Sequence, residues 1–216
     1  GKRGFTNGKL RVQKRPNRRI SPSTAGTLIA QLVPRILVVG AGLIGSRHVK
    51  AVQDHPDCTL AGIVDPVHID EVAVPIFKNI ADVNVPVDGV IIATPTGLHA
   101  EHGERAAKRG WHMLIGKPVT ATLEEAATLS ATAKAHNVRC LVGHHRRYHP
   151  SIDVLRNAIQ SGKIGAPITS TLIWAMRKPD DYFDGNWRTA GGSPVMINLV
   201  HDIDILRFVL GEISDI

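Results

Sequence analysis

The stretch RILVVGAGLIGSRHVKAV, residues 35–52, decides the fold. Four apolar residues run into three glycines spaced G-x-G-x-x-G, and the chain then turns polar. The apolar run predicts a strand buried on both faces, and the glycine spacing predicts a tight turn that opens a helix. Gly40 permits the turn, Gly42 leaves the backbone bare where a pyrophosphate would approach, and Gly45 lets helix and strand pack closely. The first N–H groups of the helix and its dipole would face the phosphates. Glycines also mark simple turns, so context decides between the two readings. Asp65 stands 20 residues after Gly45, at the end of the next apolar run, TLAGIVD. A carboxylate there accepts ribose hydroxyls of an adenosine and repels a 2′-phosphate, which predicts NAD in preference to NADP.

Outward from this unit the alternation repeats. VDGVIIATP (87–95), WHMLIG (111–116) and VRCLVG (138–143) read as further buried strands, and LHAEHGERAAKRG (98–110) as a helix ending on glycine. Thr122 and Glu125 form the pattern of a capping box for a helix from Leu123. Strands alternating with helices predict an α/β fold, a doubly wound parallel sheet. Between Asp65 and Asp88 the chain is short for full crossovers, so an irregular connection is expected there.

Length and composition set the outer bounds. A chain of 216 residues with 43% hydrophobic content can bury the core of one good-sized domain and part of a second. No apolar run approaches the roughly 18 residues of a membrane helix, which predicts a soluble protein with no membrane partner. The formal charge of +7 is local: residues 1–34 carry eight basic side chains and no acidic one, and the rest carries 18 basic against 19 acidic. This arm has no periodicity and predicts disorder. It reads as a leader resembling an organellar transit peptide, or as a nucleic-acid-binding arm, the less favoured reading. Two cysteines, Cys58 and Cys140, are too few for a disulfide framework and favour a reducing compartment, the cytoplasm. The histidines of HAEH (99–102) and HHRRYH (144–149) lack the spacing of a zinc site, and no metal is predicted.

Two further positions stand out. GGSPVMINLVHDIDILRFVLGE (191–212) predicts an almost wholly apolar helix between Pro194 and Gly211, yet Asn198, His201 and Asp202 fall at i, i+3 and i+4 on one face. Such a stripe is either hydrogen-bonded within the core or lines a site. Lys117 falls at the carboxyl end of a predicted strand, the edge where ligands bind in a doubly wound sheet. A glycine before it and a proline after it restrict its backbone, with a cis bond left open.

Taken in order, GAGLIGSRH, IIATPTGLH, GKPVT, GHHRRYHP, WR followed by GG, and NLVHDIDIL resemble the glucose-fructose oxidoreductase, inositol dehydrogenase and rhizopine-catabolism family, Gfo/Idh/MocA. The resemblance spans residues 35–216. It implies a Rossmann domain over 35–143 and part of an α/β substrate and oligomerisation domain over 144–216. It further implies an NAD(P)-dependent oxidoreductase of small polyols, cyclitols, sugars or sugar derivatives. On that resemblance Gly40, Gly42, Leu43, Ile44 and Gly45 would hold the pyrophosphate and Asp65 the ribose. Thr94, Pro95 and His99 would lie along the cofactor. Lys117 would touch cofactor and substrate, His201 would be the catalytic histidine, and Arg146, Asn198 and Asp202 would meet the substrate. A hydride would pass from a carbinol carbon to nicotinamide while His201 takes the hydroxyl proton and Lys117 stabilises the alkoxide.

Three positions depart from the family pattern: Gly116 replaces a glutamate, Ile197 a frequent aspartate, and Thr96 an asparagine. The family continues beyond residue 216 with most of a sheet that commonly forms a dimer interface. The expectation is therefore an incomplete second domain, with a strand at PITSTLIWAM (167–176), and a homo-oligomer for the full-length protein. The residues leave an alternative open, a non-catalytic dinucleotide-binding protein that keeps the Rossmann half and has lost turnover.

Overall fold

The computed structural model describes residues 33–67, 72–175, 177, 179 and 195–215. Most of the basic arm, the WR and GG pair, and Pro194 lie outside the described residues. Six strands form one parallel sheet: β1 (Arg35–Val39), β2 (Thr59–Val64), β3 (Ile76–Phe77), β4 (Gly89–Ile92), β5 (His112–Ile115) and β6 (Cys140–Val142). Their spatial order is β3-β2-β1-β4-β5-β6, the doubly wound arrangement that the alternating runs predict. The chain moves outward from β1 to β3, then returns to the other side of β1 through β4. The connections before and after this reversal leave the sheet in opposite directions, which opens a crevice above β1 and β4.

Continuous apolar runs suit the inner strands because both faces are covered; the edge strand β6 is less buried than its sequence predicts, with Leu141 63% exposed. Leu37, Ile92 and Ile115 are wholly buried. Burial of each such side chain contributes about 1.5–3 kcal/mol. Helix α1 (Leu43–Asp54) packs on β1 and β2, and α2 (His99–Lys108) packs on β4, β5 and α3 (Leu123–Ala135). The capping box at α3 forms: Thr122 Oγ1 accepts the Glu125 N–H at 3.2 Å, and Glu125 Oε2 accepts the Thr122 N–H at 3.2 Å.

Register sets the height at which each loop leaves. Val39 pairs with Val64 on one side and Ile92 on the other; Ile92 pairs with Ile115, and Ile115 with Val142. These five residues form a single row across the sheet. The segments that start at Gly40, Asp65, Ala93, Gly116 and Gly143 therefore leave from one edge.

The connection around β3 is irregular, as its length predicts. Residues 72–75 are not helical, β3 has two residues, and a single 3-10 turn at Ile80–Asp82 leads toward β4. Prolines at 66, 75 and 86 interrupt any helical period. The turn still completes the core, because Ile80 and Val83 are buried beneath it. Arg109, at the end of α2, fixes it by donating to the Val83 and Ala81 carbonyls at 2.9 and 2.8 Å.

After β6 come a 3-10 turn at His145–Tyr148, α4 (Pro150–Gln160) and, following the undescribed segment, α5 (Val200–Leu210). Helix α5 is entered through a π-helical turn at Val195–Leu199 and stops at Gly211, whose φ of +112° ends the helix. One expectation fails: residues 167–175 are not a strand. A strand needs a hydrogen-bonded neighbour, and no described segment pairs with this one; Ile168 and Ile173 are 97% and 83% exposed.

Candidate functional site

The glycine turn is built from three different constraints. Gly40 has φ +85°, and a Cβ on it would lie 2.9 Å from Thr94 Cγ2 and from the Thr94 nitrogen. A Cβ on Gly45 would lie 1.7 Å from the Gly40 carbonyl oxygen, so α1 could not approach β1 with any side chain there. Gly42 is different: a Cβ on it meets nothing within 4 Å. Internal packing thus explains Gly40 and Gly45 but leaves Gly42 facing open space in the cleft. This is the cradle that a pyrophosphate needs. Leu43 and Ile44 follow in the exposed first turn of α1, which has no side-chain cap and no acidic residue. The N–H groups and positive dipole end of α1 are left available to an anion.

Asp65 closes this loop from β2. Its Oδ2 accepts the Ala41 N–H at 2.7 Å and its Oδ1 accepts the Val67 N–H at 2.9 Å. The carboxylate is therefore held beside the loop, with lone pairs left for hydroxyl donors. The donor set fits an adenine dinucleotide: a bare loop and helix end for two phosphates, and a fixed carboxylate for a ribose.

The next wall is built from the ends of β4 and β5. Thr94 and Pro95 leave β4 and lead into α2. His99 opens α2, but its ring is 2% exposed and turned into the fold. Its Nε2 lies 2.8 Å from the Thr94 carbonyl oxygen and its Nδ1 lies 2.9 Å from the Pro118 carbonyl oxygen. The side chain thus ties the β4 loop to the β5 loop. Lys117 lies in that second loop, and the bond between it and Pro118 is cis.

The inner end comes from the segment after β6 and from α5. His201 is buried, and the rings of His145 and His144 pack edge to face on it with centroids at 4.6 and 5.8 Å. Burial, and then the charges of Lys117, His145, Arg146 and His144, push the His201 pKa down to about 3. The ring is neutral at neutral pH, and its Nδ1 has no partner among the described residues. Burial also lowers the pKa of His144.

A cleft of about 1940 Å³ joins these walls, lined by Gly42, Asp65, Thr94, Lys117, His144 and Asn198 among others. Of the three residues that the resemblance assigns to substrate, Asn198 lines this cleft. Arg146 and Asp202 do not line it; they pair with each other, with Arg146 Nη1 2.9 and 2.8 Å from the two carboxylate oxygens. His201 lies behind the cleft-lining imidazoles. Arg147, which the resemblance places with Arg146 near the site, does line the cleft, and it forms an ion pair there with Asp204, which sequence reasoning missed. A signal was present: the adjacent bases at 146 and 147 are matched by acids at 202 and 204. No group of three or more metal-ligating side chains occurs among the described residues.

Residues 34–144 match the family model described as an oxidoreductase family with an NAD-binding Rossmann fold, and residues 152–216 match the Gfo/Idh/MocA C-terminal domain. The rhizopine catabolism protein MocA of Rhizobium meliloti is 30% identical over 186 residues, 82% of this chain and 57% of that protein. The scyllo-inositol 2-dehydrogenase (NAD(+)) of Bacillus subtilis is 30% identical over 205 residues, 84% of this chain and 56% of that protein. The chain thus spans little more than half the length of these relatives. Among solved structures, an oxidoreductase from Agrobacterium radiobacter in complex with NAD+, L-tartaric acid and magnesium superimposes with a TM-score of 0.72 at 22% identity. That match covers 84% of this chain and 56% of that one, and at such identity it shows the shared fold.

Proposed function

The chain belongs to the Gfo/Idh/MocA oxidoreductase family and carries its NAD-binding Rossmann domain, and on that premise we propose that it transfers a hydride between NAD and a small polyol. The substrate class is a cyclitol, sugar or sugar derivative. One observation supports this reading: a single cleft is lined by Asp65 and also by Lys117 and Asn198.

NAD, when bound, supplies the hydride acceptor. The chain's own residues do the rest. The Gly42 backbone and the first turn of α1 hold the pyrophosphate, and Asp65 holds the ribose and disfavours the 2′-phosphate of NADP. Thr94 and Pro95 line the path toward the nicotinamide, with His99 fixing their loop to that of Lys117. The Lys117 ammonium stabilises the oxygen of the reacting carbinol as its proton leaves. Neutral His201 receives that proton by way of the imidazoles of His144 and His145 that line the cleft in front of it, and Asn198 offers an amide to a substrate hydroxyl. Arg146 and Asp202 act as a pair that anchors α5 to the segment after β6. In this reading residues 35–143 are the cofactor domain and 144–216 the beginning of the substrate domain. A cytoplasmic homo-oligomer is in keeping with the two free cysteines and with the apolar side chains Val154, Leu155 and Ile164 exposed on and after α4.

The test is NADH formation by the purified chain on a panel of cyclitols and sugars, with Lys117→Ala alongside. Turnover with one member of the panel, lost in the variant while NAD still binds, is the expected result. Activity unchanged by Lys117→Ala removes the assignment. Saturable NAD binding with no hydride transfer to any substrate favours the non-catalytic alternative.

A further inference from the structure

We propose that His99 is a doubly protonated positioning residue, a buried imidazolium that donates one N–H to the loop after β4 and the other to the loop after β5, and so fixes Lys117 in the cleft. The part given to Lys117 rests on the dehydrogenase reading above; the charge on the ring does not.

Both ring nitrogens face acceptors. Nε2 lies 2.8 Å from the Thr94 carbonyl oxygen and Nδ1 lies 2.9 Å from the Pro118 carbonyl oxygen. A neutral imidazole has one N–H and one bare lone pair, so in either tautomer one of these contacts sets lone pair against lone pair. Only the imidazolium donates to both oxygens. The two carbonyls favour that state, because a hydrogen bond from a cation is roughly twice as strong as one between neutral groups. Among the described residues neither oxygen has another donor.

The ring has little room to leave this arrangement. The bare backbone of Gly116 lies against it, so that a Cβ there would come within 3.2 Å of Cε1 and 3.4 Å of Nε2. Two basic groups border it. His102 stands one turn further along α2, its pKa lowered first by burial and then, against the opposing Glu101, by the charges of His99 and Arg105. Lys117 directly precedes Pro118. No carboxylate bonds to the ring among the described residues, so the two carbonyls alone hold the second proton. Its loss turns one bond of the clamp into a repulsion and loosens the spacing of Thr94 and Lys117, which both line the cleft. Asp65 and Gly42 make no hydrogen bond to His99, so the hold on the adenosine half of NAD is separate from the placement of Lys117.

The test begins with the ring itself. In the long-range 1H–15N spectrum of the unsubstituted full chain at neutral pH, assigned through the side chain's own carbon-bound protons, both nitrogens of His99 should carry a proton. One bare nitrogen overturns the proposal. The second arm is His99→Gln, whose amide nitrogen can donate to one carbonyl while its oxygen leaves the other without a donor. Its kcat should fall by up to about a hundredfold, the effect of a displacement of about 1 Å at reacting groups, with the Kd for NAD unchanged. In the unsubstituted chain kcat should fall as rising pH removes the second ring proton, and His99→Gln should lack that alkaline fall. A lower kcat in the variant with the alkaline fall intact assigns a packing role only and overturns the proposal, as does an unchanged kcat. Should the variant fail to fold, the unsubstituted chain decides: an alkaline fall in kcat that does not coincide with titration of the ring overturns the proposal. If the chain binds NAD but forms no NADH on any substrate, the dehydrogenase reading fails and the role toward Lys117 with it, while the nitrogen spectrum still decides the charge of His99.

Discussion

The carboxylate of Asp65 accepts the backbone N–H of Ala41 at 2.7 Å, so the end of β2 holds the glycine turn that follows β1. In the proposed function the same side chain meets the ribose. Replacing Asp65 with Ala removes a charge-assisted acceptor, worth about 1.5–3 kcal/mol. The expected result is a Kd for NAD raised by about tenfold to a hundredfold, measured by calorimetry. Discrimination against NADP should shrink in the same variant, because the repelling charge is gone. An unchanged NAD:NADP ratio would show that the carboxylate does not face the ribose.

Gly42 and Gly45 make a matched pair of substitutions with opposite signatures. Alanine at Gly42 puts a methyl group into open space in the cleft, so thermal stability should be kept while NAD binding is lost. Alanine at Gly45 drives its Cβ to 1.7 Å from the Gly40 carbonyl oxygen, so the fold should be destabilised by several kcal/mol. Tm and NAD titration of the two variants separate the ligand constraint from the packing constraint. Gly42→Ala that still binds NAD with its original affinity would contradict the proposed pyrophosphate position.

What was legible in the sequence follows from what is local. Five of the six strands were legible as apolar runs, while the two-residue β3 lay hidden in the irregular connection, and the Thr122 cap was legible because its partner is three residues away. The Asp65 position was readable because strand length and glycine spacing fix where β2 ends. The pairing of Arg147 with Asp204 was not readable in the same way, since 57 residues separate them and nothing local chooses between Arg146 and Arg147. The inward turn of the His99 ring depends on two carbonyls from different loops, which no periodicity encodes. The expected strand at 167–176 failed for the complementary reason: its pattern suits a sheet, but a sheet needs a neighbour.

The Arg147–Asp204 pair should be a structural anchor of α5. Asp204 is 6% exposed, and Arg147 Nε donates to its Oδ2 at 2.8 Å while the guanidinium also lies 4.9 Å from the Phe208 ring centre. Hydrogen bonding to Asp204 raises the Arg147 pKa, so its charge is fixed. Arg147→Ala leaves a buried carboxylate without its cation, a cost of about 3 kcal/mol. Urea unfolding checks this; replacing Arg147 and Asp204 together should cost less than the sum of the two single losses. Strict additivity would mean that the two side chains do not interact.

His201 gives the fold a specific acid sensitivity. Its pKa in the folded chain is about 3, against an ordinary value of 6.5, because burial and the charges of Lys117, His145, Arg146 and His144 disfavour the imidazolium. Between those two values the unfolded chain binds a proton that the folded chain does not. The stabilisation tied to neutral His201 is therefore complete above pH 6.5 and is lost progressively as pH falls toward 3. In that window the residue contributes a slope of up to about 1.4 kcal/mol per pH unit. His144, His102 and His48, each lowered first by burial, add slopes of the same sign, so the comparison must be between variants. His201→Gln should flatten the dependence of unfolding free energy on pH between 6.5 and 3 relative to the unsubstituted chain. Identical slopes for the two proteins across that range would show that His201 titrates as freely in the folded chain as in the unfolded one.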